Sequence, residues 1–377
     1  MQKAVTRFQF FVSSFACTIP PMTYPPIFDG HNDTLTHIFR PDRGHGRSFY
    51  ERSDSGQLDL PRAQIGGLAG GVCAIFTPVP PDSPESDPFD SLTRTADGYD
   101  VKYPAAIEHA YARDFTLDVL DLAQEIEAQG NGSVTITLDA ANQEHNLQDG
   151  VYSMVLGIEG AAAISPNLDD LQEYYERGVR VINPVWSRPN AFGYGVPFRF
   201  PGSPDTGPGL TPAGKALVEA CNEMGIVIDL AHLNEKGFWE LADLSTAPLV
   251  TSHTAAHAIC PSTRNITDEQ IKAIGRSDGL IGVYYMPGGT RSDGKHGKDT
   301  PLASIVRHIE HIVDLIGIDH VALGSDFDGA SMPYGLADAA ALPNLLQVLD
   351  EAGYDKDDLA KITHENWLRV LRATWRA

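Results

Sequence analysis

Eight short apolar runs of β character recur along this chain, and helical stretches separate most of them. The runs cover residues 27–33, 71–77, 151–159, 179–186, 226–232, 248–253, 280–285 and 320–326. Helical patterning falls at 103–127, 168–177, 211–224, 238–245, 267–274 and 302–316, with a further stretch at 338–352 after the last run. Parallel strands need a crossover of about a dozen residues or more, which a helix supplies, so the alternation implies βαβ units. Eight such units imply an α/β fold closed into a (β/α)8, or TIM, barrel.

Helix boundary signals agree with that pattern. Thr211 followed by Pro212 offers an N-cap with proline at the first helical position, and Gly225 after Met224 offers the matching C-terminal stop. Thr267 and Gln270 have the spacing of a capping box. Two segments exceed a minimal barrel: the Pro/Asp/Ser-rich 78–99 and the Gly/Pro-rich 190–209. Both follow a strand, which predicts loops over the catalytic face. No repeat or linker divides the chain, so residues 25–377 read as one domain. Residues 1–24 read as an N-terminal extension. Lys3 and Arg7 ahead of an apolar stretch imitate an export signal, but Gln9, Ser13 and Ser14 interrupt it and no clean cleavage site follows.

The net charge of −22 argues against nucleic acid or an anionic membrane as partner, and favours a small ligand. No run approaches the roughly 18 apolar residues of a membrane span. The cysteines Cys17, Cys73, Cys221 and Cys260 are far apart, which predicts neither a disulfide framework nor a thiolate metal site and fits the cytoplasm.

In such a barrel the active groups stand at the C-terminal ends of different strands. Those ends carry His31 and Asp33, Thr77, Glu159, Trp186, His232, His253, Tyr285 and Asp326. Each has an ordinary explanation when taken singly. Glu159 could be a solvated strand end, His232 a core histidine closing the apolar face of Ile226, Ile228 and Leu230, and His253 a hydrogen-bonded strand end. Together, His31, Asp33, Glu159, His232, His253 and Asp326 are metal-ligand types from five strand ends, and they predict a metal centre. Asp328 reads as a turn residue, and His257, His308, His311, His320 and His364 as surface or helix residues.

The segments Phe28-Asp29-Gly30-His31-Asn32-Asp33, Gly157-Ile158-Glu159-Gly160, Leu210-Thr211-Pro212, Ile228-Asp229-Leu230-Ala231-His232, Ser252-His253, Arg264-Asn265 and Gly324-Ser325-Asp326-Phe327-Asp328-Gly329 occur in order. With these segments the chain resembles the membrane (renal) dipeptidase family of the amidohydrolase superfamily. The resemblance implies a binuclear zinc peptidase on a metal-dependent hydrolase barrel. It implies His31 and Asp33 on one Zn2+, His232 and His253 on the other, and Glu159 bridging both. It further implies Arg264 as receptor of the substrate carboxylate and Asp326 as proton shuttle. The substrate would be a dipeptide or an N-acyl amino acid, with a D-residue tolerated on the C-terminal side, and the assembly a homodimer. The chemistry suits those residues, because zinc accepts imidazole nitrogen and carboxylate oxygen, and a shared glutamate can hold two ions roughly 3.5 to 4 Å apart.

One position departs from the family. Where a histidine would stabilise the oxyanion, this chain has Trp186, whose indole donates one hydrogen bond and carries no charge. Loss of one oxyanion donor typically costs on the order of 100- to 1000-fold in turnover. Gly160-Ala161-Ala162-Ala163 also lacks a histidine that some relatives carry nearby. Two readings therefore stand beside the dipeptidase: an amidohydrolase of different specificity, such as an N-acyl-D-amino acid deacylase or a secondary-metabolite enzyme, and a non-catalytic metal-binding relative.

Overall fold

The computed structural model describes residues 24–44, 46–81 and 88–376, so the predicted extension lies outside the described residues except for Tyr24. Among the described residues, eight parallel strands follow the predicted order. They are β1 (Ile27–Asn32), β2 (Leu68–Phe76), β3 (Tyr152–Glu159), β4 (Val179–Asn183), β5 (Val227–Ile228), β6 (Val250–Thr254), β7 (Leu280–Val283) and β8 (Val321–Leu323). β1 to β5 form one arc and β6 to β8 another. Single parallel bridges, Asp229 to Val250 and Asn32 to Phe327, join the arcs into the expected barrel. Val134–Ile136 pairs with β3 outside the eight-strand order.

The barrel base is filled by one side chain from each strand: Phe28, Val72, Val155, Val181, Val227, Val250, Leu280 and Ala322. Helix Asn366–Thr374 closes it from below with Trp367, Val370 and Leu371, and Trp375 follows. Phe28 and Trp367 bring their rings to 5.7 Å. Burying aliphatic side chains of this size contributes about 1.5–3 kcal/mol each, so this layer anchors the strands whose other ends carry the site.

Higher in the barrel, β6 bulges. Its register with β7 shifts between Thr251 and Thr254. The bulge turns the Ser252 carbonyl inward, so tightly that a Cβ added at Gly282 of β7 or at Gly324 after β8 would overlap it. Glycine is required at both positions by this close approach. A bulge re-aims the next side chain, and here that side chain is His253.

The helices differ from expectation mainly at their ends. The stretch predicted at 103–127 is helical as His109–Gln129, because the chain from Val101 to Ile107 stays extended past Pro104. Helices Thr34–Phe39, Leu60–Gly66 and Ala140–Asp149 were not predicted, although Asp59 with Pro61 and Gly67, and Asp139 with Gly150, bound the latter two. The capping box at Thr267 and Gln270 is present as predicted. Segments 78–99 and 190–209 meet in a small antiparallel sheet, in which Tyr99–Asp100 pairs with both Thr93–Arg94 and Arg199–Phe200. Cys73, Cys221 and Cys260 are buried and unpaired, while Cys17 lies outside the described residues. No helix among the described residues is long and apolar enough to cross a membrane.

His308, read as a surface or helix residue, lies on helix Ala303–Ile316 and is buried there. Its Nδ1 accepts from the Ala256 N–H at 3.0 Å and its Nε2–H donates to the Thr290 carbonyl at 3.0 Å, which requires a neutral ring. Burial pushes its pKa down from 6.5 to about 4. The unfolded chain thus takes up this proton below pH 6.5, and the folded chain only near pH 4. The stability held in the neutral ring is fully present above pH 6.5 and is lost as the pH falls towards 4, an effect of about 3 kcal/mol. Urea denaturation across that window should find His308→Gln less acid-sensitive by this amount, and equal sensitivity in both proteins would assign the titration to another group.

Candidate metal centre

The predicted ligands converge at the C-terminal mouth of the barrel. His31 lies within β1 and Asp33 immediately precedes helix Thr34–Phe39 without a side-chain capping bond, Glu159 ends β3, and His253 lies in the β6 bulge. His232 and Asp326 follow β5 and β8, both with left-handed backbone, at φ 68° and 63°. Such conformations cost about 1–3 kcal/mol in a residue other than glycine and concentrate at functional sites. They are held by neighbours: the His232 carbonyl accepts from Val196 N–H at 2.8 Å, and Asp326 N–H donates to the His31 carbonyl at 3.0 Å.

Glu159 Oε1 lies 2.9 Å from His232 Nε2 and 3.5 Å from His253 Nε2, and the two imidazole nitrogens are 3.1 Å apart. His31 Nε2 lies 3.7 Å from Glu159 Oε2 and 3.5 Å from Asp33 Oδ2. Two candidate ligand groups result, one of His31, Glu159 and His253, the other of His31, Asp33 and Asp326. All six side chains named in the sequence as ligand types are brought together.

The hydrogen bonds behind the histidines decide what their front nitrogens can do. Ser252 Oγ–H donates to the Asp229 carboxylate, so Ser252 Oγ accepts from His253 Nδ1–H at 2.8 Å. His253 Nε2 then presents a lone pair to the centre. His232 Nδ1 is likewise engaged, by Ser187 Oγ at 2.8 Å. His31 is 1% exposed, and neither ring nitrogen has a hydrogen-bond partner. His232 Nε2, His253 Nε2 and the Glu159 carboxylate therefore crowd one point, each presenting a group of metal-ligand type. The donor set, imidazole nitrogen and carboxylate oxygen converging in a buried mouth, fits divalent cations.

The electrostatics agree. Burial pushes Glu159 up to about 8 and Asp326 up to about 7, with Asp33 adding to both. Burial disfavours a charged His31, but Glu159, Asp33 and Asp326 overrule it and raise its pKa to about 10. Burial, followed by nearby positive groups, pushes His232 and His253 well below their ordinary value. Carboxylates crowded together, with His232 and His253 held neutral beside them, make a cation-seeking pocket.

Above the centre lies a cavity of about 500 Å³, within the range of small-molecule sites. Arg264 and Trp186, both predicted to meet substrate, line it with Asp33, Glu159, His232 and Asp326. Arg264 is buried; its Nη2–H donates to the His253 carbonyl at 3.3 Å, and its guanidinium lies 5.9 Å from the Tyr284 ring centroid. Trp186 stands in an aromatic wall, with ring centroids 4.7 Å from Phe76, 5.5 Å from Phe198 and 5.7 Å from His232. The two long segments contribute Pro78, Val79, Phe89, Leu92 and Phe198 to the lining, as loops over a site should. Asp328 has the turn role expected of it, accepting from Gln57 N–H at 2.5 Å and from Arg47 at 3.1 Å. Tyr285 is fully buried against Phe327 and does not line the cavity, whereas its neighbour Tyr284 does.

Sequence reasoning passed over the residues that orient the centre. Asp229 accepts from Ser252 N–H at 2.8 Å and Asn183 Nδ2–H at 2.8 Å. Asp29 accepts from Ser325 N–H at 2.6 Å and Ser325 Oγ–H at 2.7 Å, and so ties the end of β8 to β1. Both acids stand inside apolar strands, where an unpaired charge is costly; that misfit was the available signal. Arg188 was passed over as well.

The chain matches the membrane dipeptidase family, peptidase family M19, over residues 21–377. It is 41% identical to a metallo peptidase from Rhodobacter sphaeroides whose crystal structure holds a phosphinate mimic of the dipeptide L-Ala-D-Ala. The two superpose with a TM-score of 0.88, covering 93% of this chain and 100% of the other. It is 46% identical over 263 residues to an uncharacterized protein in the pqqA 5′ region of Klebsiella pneumoniae, covering 70% of this chain and 97% of that protein. It is also 30% identical over 356 residues to the dipeptidase aclJ of Aspergillus oryzae, covering 93% of this chain and 78% of that one. The family match across nearly all of the chain and the ligand-rich mouth of its barrel agree: this chain belongs to the membrane dipeptidase family, and it is a metallohydrolase of peptide bonds.

Proposed function

We propose that the chain is a binuclear zinc dipeptidase acting on small amides with a free carboxylate. The observation that carries the reading is the meeting of His232 Nε2, His253 Nε2 and Glu159 Oε1 within 3.5 Å, beside His31, Asp33 and Asp326. His31 and Asp33 would hold one ion, His232 and His253 the other, and Glu159 both. When bound, the ions supply Lewis-acid polarisation of the amide carbonyl and acidify the attacking water. Asp326 accepts the proton of that water on its carboxylate and delivers it to the departing amine nitrogen as the C–N bond breaks. Arg264 receives the α-carboxylate through its planar fork, which fixes the scissile bond relative to Asp326. Trp186 and Phe76 flank the acyl portion and keep water from it.

The aromatic wall also suits an N-acyl amino acid, whose amide and carboxylate occupy the same positions. Metal analysis and a substrate panel test both readings. The expected result is two zinc ions per chain, loss of hydrolysis on chelation and its return with zinc. L,L and L,D dipeptides compared with N-acyl amino acids then set the substrate class. A zinc-loaded protein that hydrolyses none of them would overturn the proposal and leave a metal-binding relative.

A further inference from the structure

Two of the buried arginines near the barrel use their guanidinium groups in opposite ways. Arg180 donates to the carbonyls of Leu138, Tyr175 and Val179, so its role is spent within the fold. Arg188 is 5% exposed, yet it donates only to the Thr77 carbonyl, and its buried Nη1 has no partner. Among the described residues no carboxylate forms an ion pair with it. Glu159 acts on it electrostatically without forming an ion pair, so a buried cation is left that a ligand carboxylate can meet directly.

The position of Arg188 says which part of a ligand it meets. Its guanidinium lies 4.9 Å from the Phe76 ring centroid and 5.0 Å from that of Trp186, and it lines the cavity above the metal centre. Phe76 ends β2 and Trp186 follows β4, whereas Arg264 sits on the β6 bulge and Tyr284, which follows β7. In an eight-stranded barrel the β2–β4 wall faces the β6–β7 wall across the mouth. The two guanidinium groups thus stand on opposite sides of the candidate metal ligands. A substrate that gives its α-carboxylate to Arg264 and its amide to the centre extends its acyl portion towards Arg188.

We propose that Arg188 binds a second carboxylate, carried on the acyl side of the scissile amide. The preferred substrates are then dipeptides whose first residue is aspartate or glutamate, or amino acids acylated by a dicarboxylic acid. The inference rests on the dipeptidase reading above and names its substrate class. The aromatic shelf holds the guanidinium plane, which suits a two-point contact with a carboxylate. Burial lowers the Arg188 pKa only to about 10, so the group stays charged at neutral pH.

The test compares Asp-Ala with Asn-Ala, and Glu-Ala with Gln-Ala, in zinc-loaded wild type, Arg188→Gln and Arg188→Lys of verified fold and zinc content. Wild type should favour the acid over its amide by about 10- to 100-fold in kcat/KM, the range of a charged hydrogen bond. Arg188→Gln should collapse that ratio through KM, and Arg188→Lys should restore part of it. A wild type that does not discriminate overturns the inference. So does an Arg188→Gln variant that loses both substrates equally in kcat, because the guanidinium would then serve the reacting carbonyl or the loops. Calorimetric affinities for aspartate and asparagine, products of these substrates, provide a readout without turnover. Hydrolysis of nothing would overturn the dipeptidase reading, and the aspartate-to-asparagine affinity ratio in wild type and Arg188→Gln would still decide the role of Arg188.

Discussion

Asp326→Asn is expected to lower kcat by about 100- to 10,000-fold on any dipeptide the enzyme turns over, the range assigned to general acid–base groups. Asparagine keeps the shape of the side chain and tolerates the left-handed backbone that Asp326 adopts at φ 63°. The backbone bond from Asp326 N–H to the His31 carbonyl therefore survives. What disappears is the ability to accept a proton. Steady-state kinetics with zinc analysis of the same sample separate the two possible effects. A large loss of turnover at full zinc content assigns proton transfer to Asp326, whereas a loss of less than about tenfold would move that role to another group. A loss that tracks missing zinc would instead make Asp326 a ligand first, in keeping with its grouping beside His31 and Asp33.

Gly282→Ala should be strongly damaging although Gly282 is not itself a ligand. A Cβ there overlaps the inward Ser252 carbonyl, and backbone cannot step aside as a side-chain tip can. Overpacking of this sort costs about 1–3 kcal/mol in stability. The larger effect reaches catalysis, because Ser252 is bonded to His253 and orients its imidazole through Nδ1. A displacement of about 1 Å at a positioned group costs roughly 100-fold in rate. Val283→Ala is the informative control. It also removes packing from β7, but it leaves the Ser252 carbonyl undisturbed. Gly282→Ala should lose far more turnover than Val283→Ala per unit of lost stability, measured by urea denaturation. Equal losses in both would assign the effect to a general loosening of β7.

The eight-strand order was legible because each strand is apolar and each crossover long enough to hold a helix. The ligands were legible because polar residues close those apolar runs. What could not be read was geometry made by distant partners. The run at 226–232 is a regular strand only over Val227–Ile228, and beyond it Asp229 keeps a single bridge to Val250 while its carboxylate accepts from Ser252. The β6 bulge depends on Gly282 and Gly324, which sit on other strands and carry no mark in sequence of what they accommodate. Helix Thr34–Phe39 was missed because it starts directly behind Asp33, where no capping side chain announces it. Arg188 resembled many arginines in a loop until its aromatic shelf and solitary carbonyl partner were in view.

The helix that closes the barrel base has a consequence for synthesis. The ligand residues run from His31 to Asp326, but Trp367, Val370, Leu371 and Trp375, which fill the opposite end of the same barrel, emerge from the ribosome after all of them. Until they emerge, Phe28, Val72 and Val155 have no floor to pack on, and the nascent strands present apolar surface and open edges. The last helix is thus expected to set the stability of the end of the barrel remote from the ligands, and thermal denaturation of a chain ending before Asn366 should show a large loss.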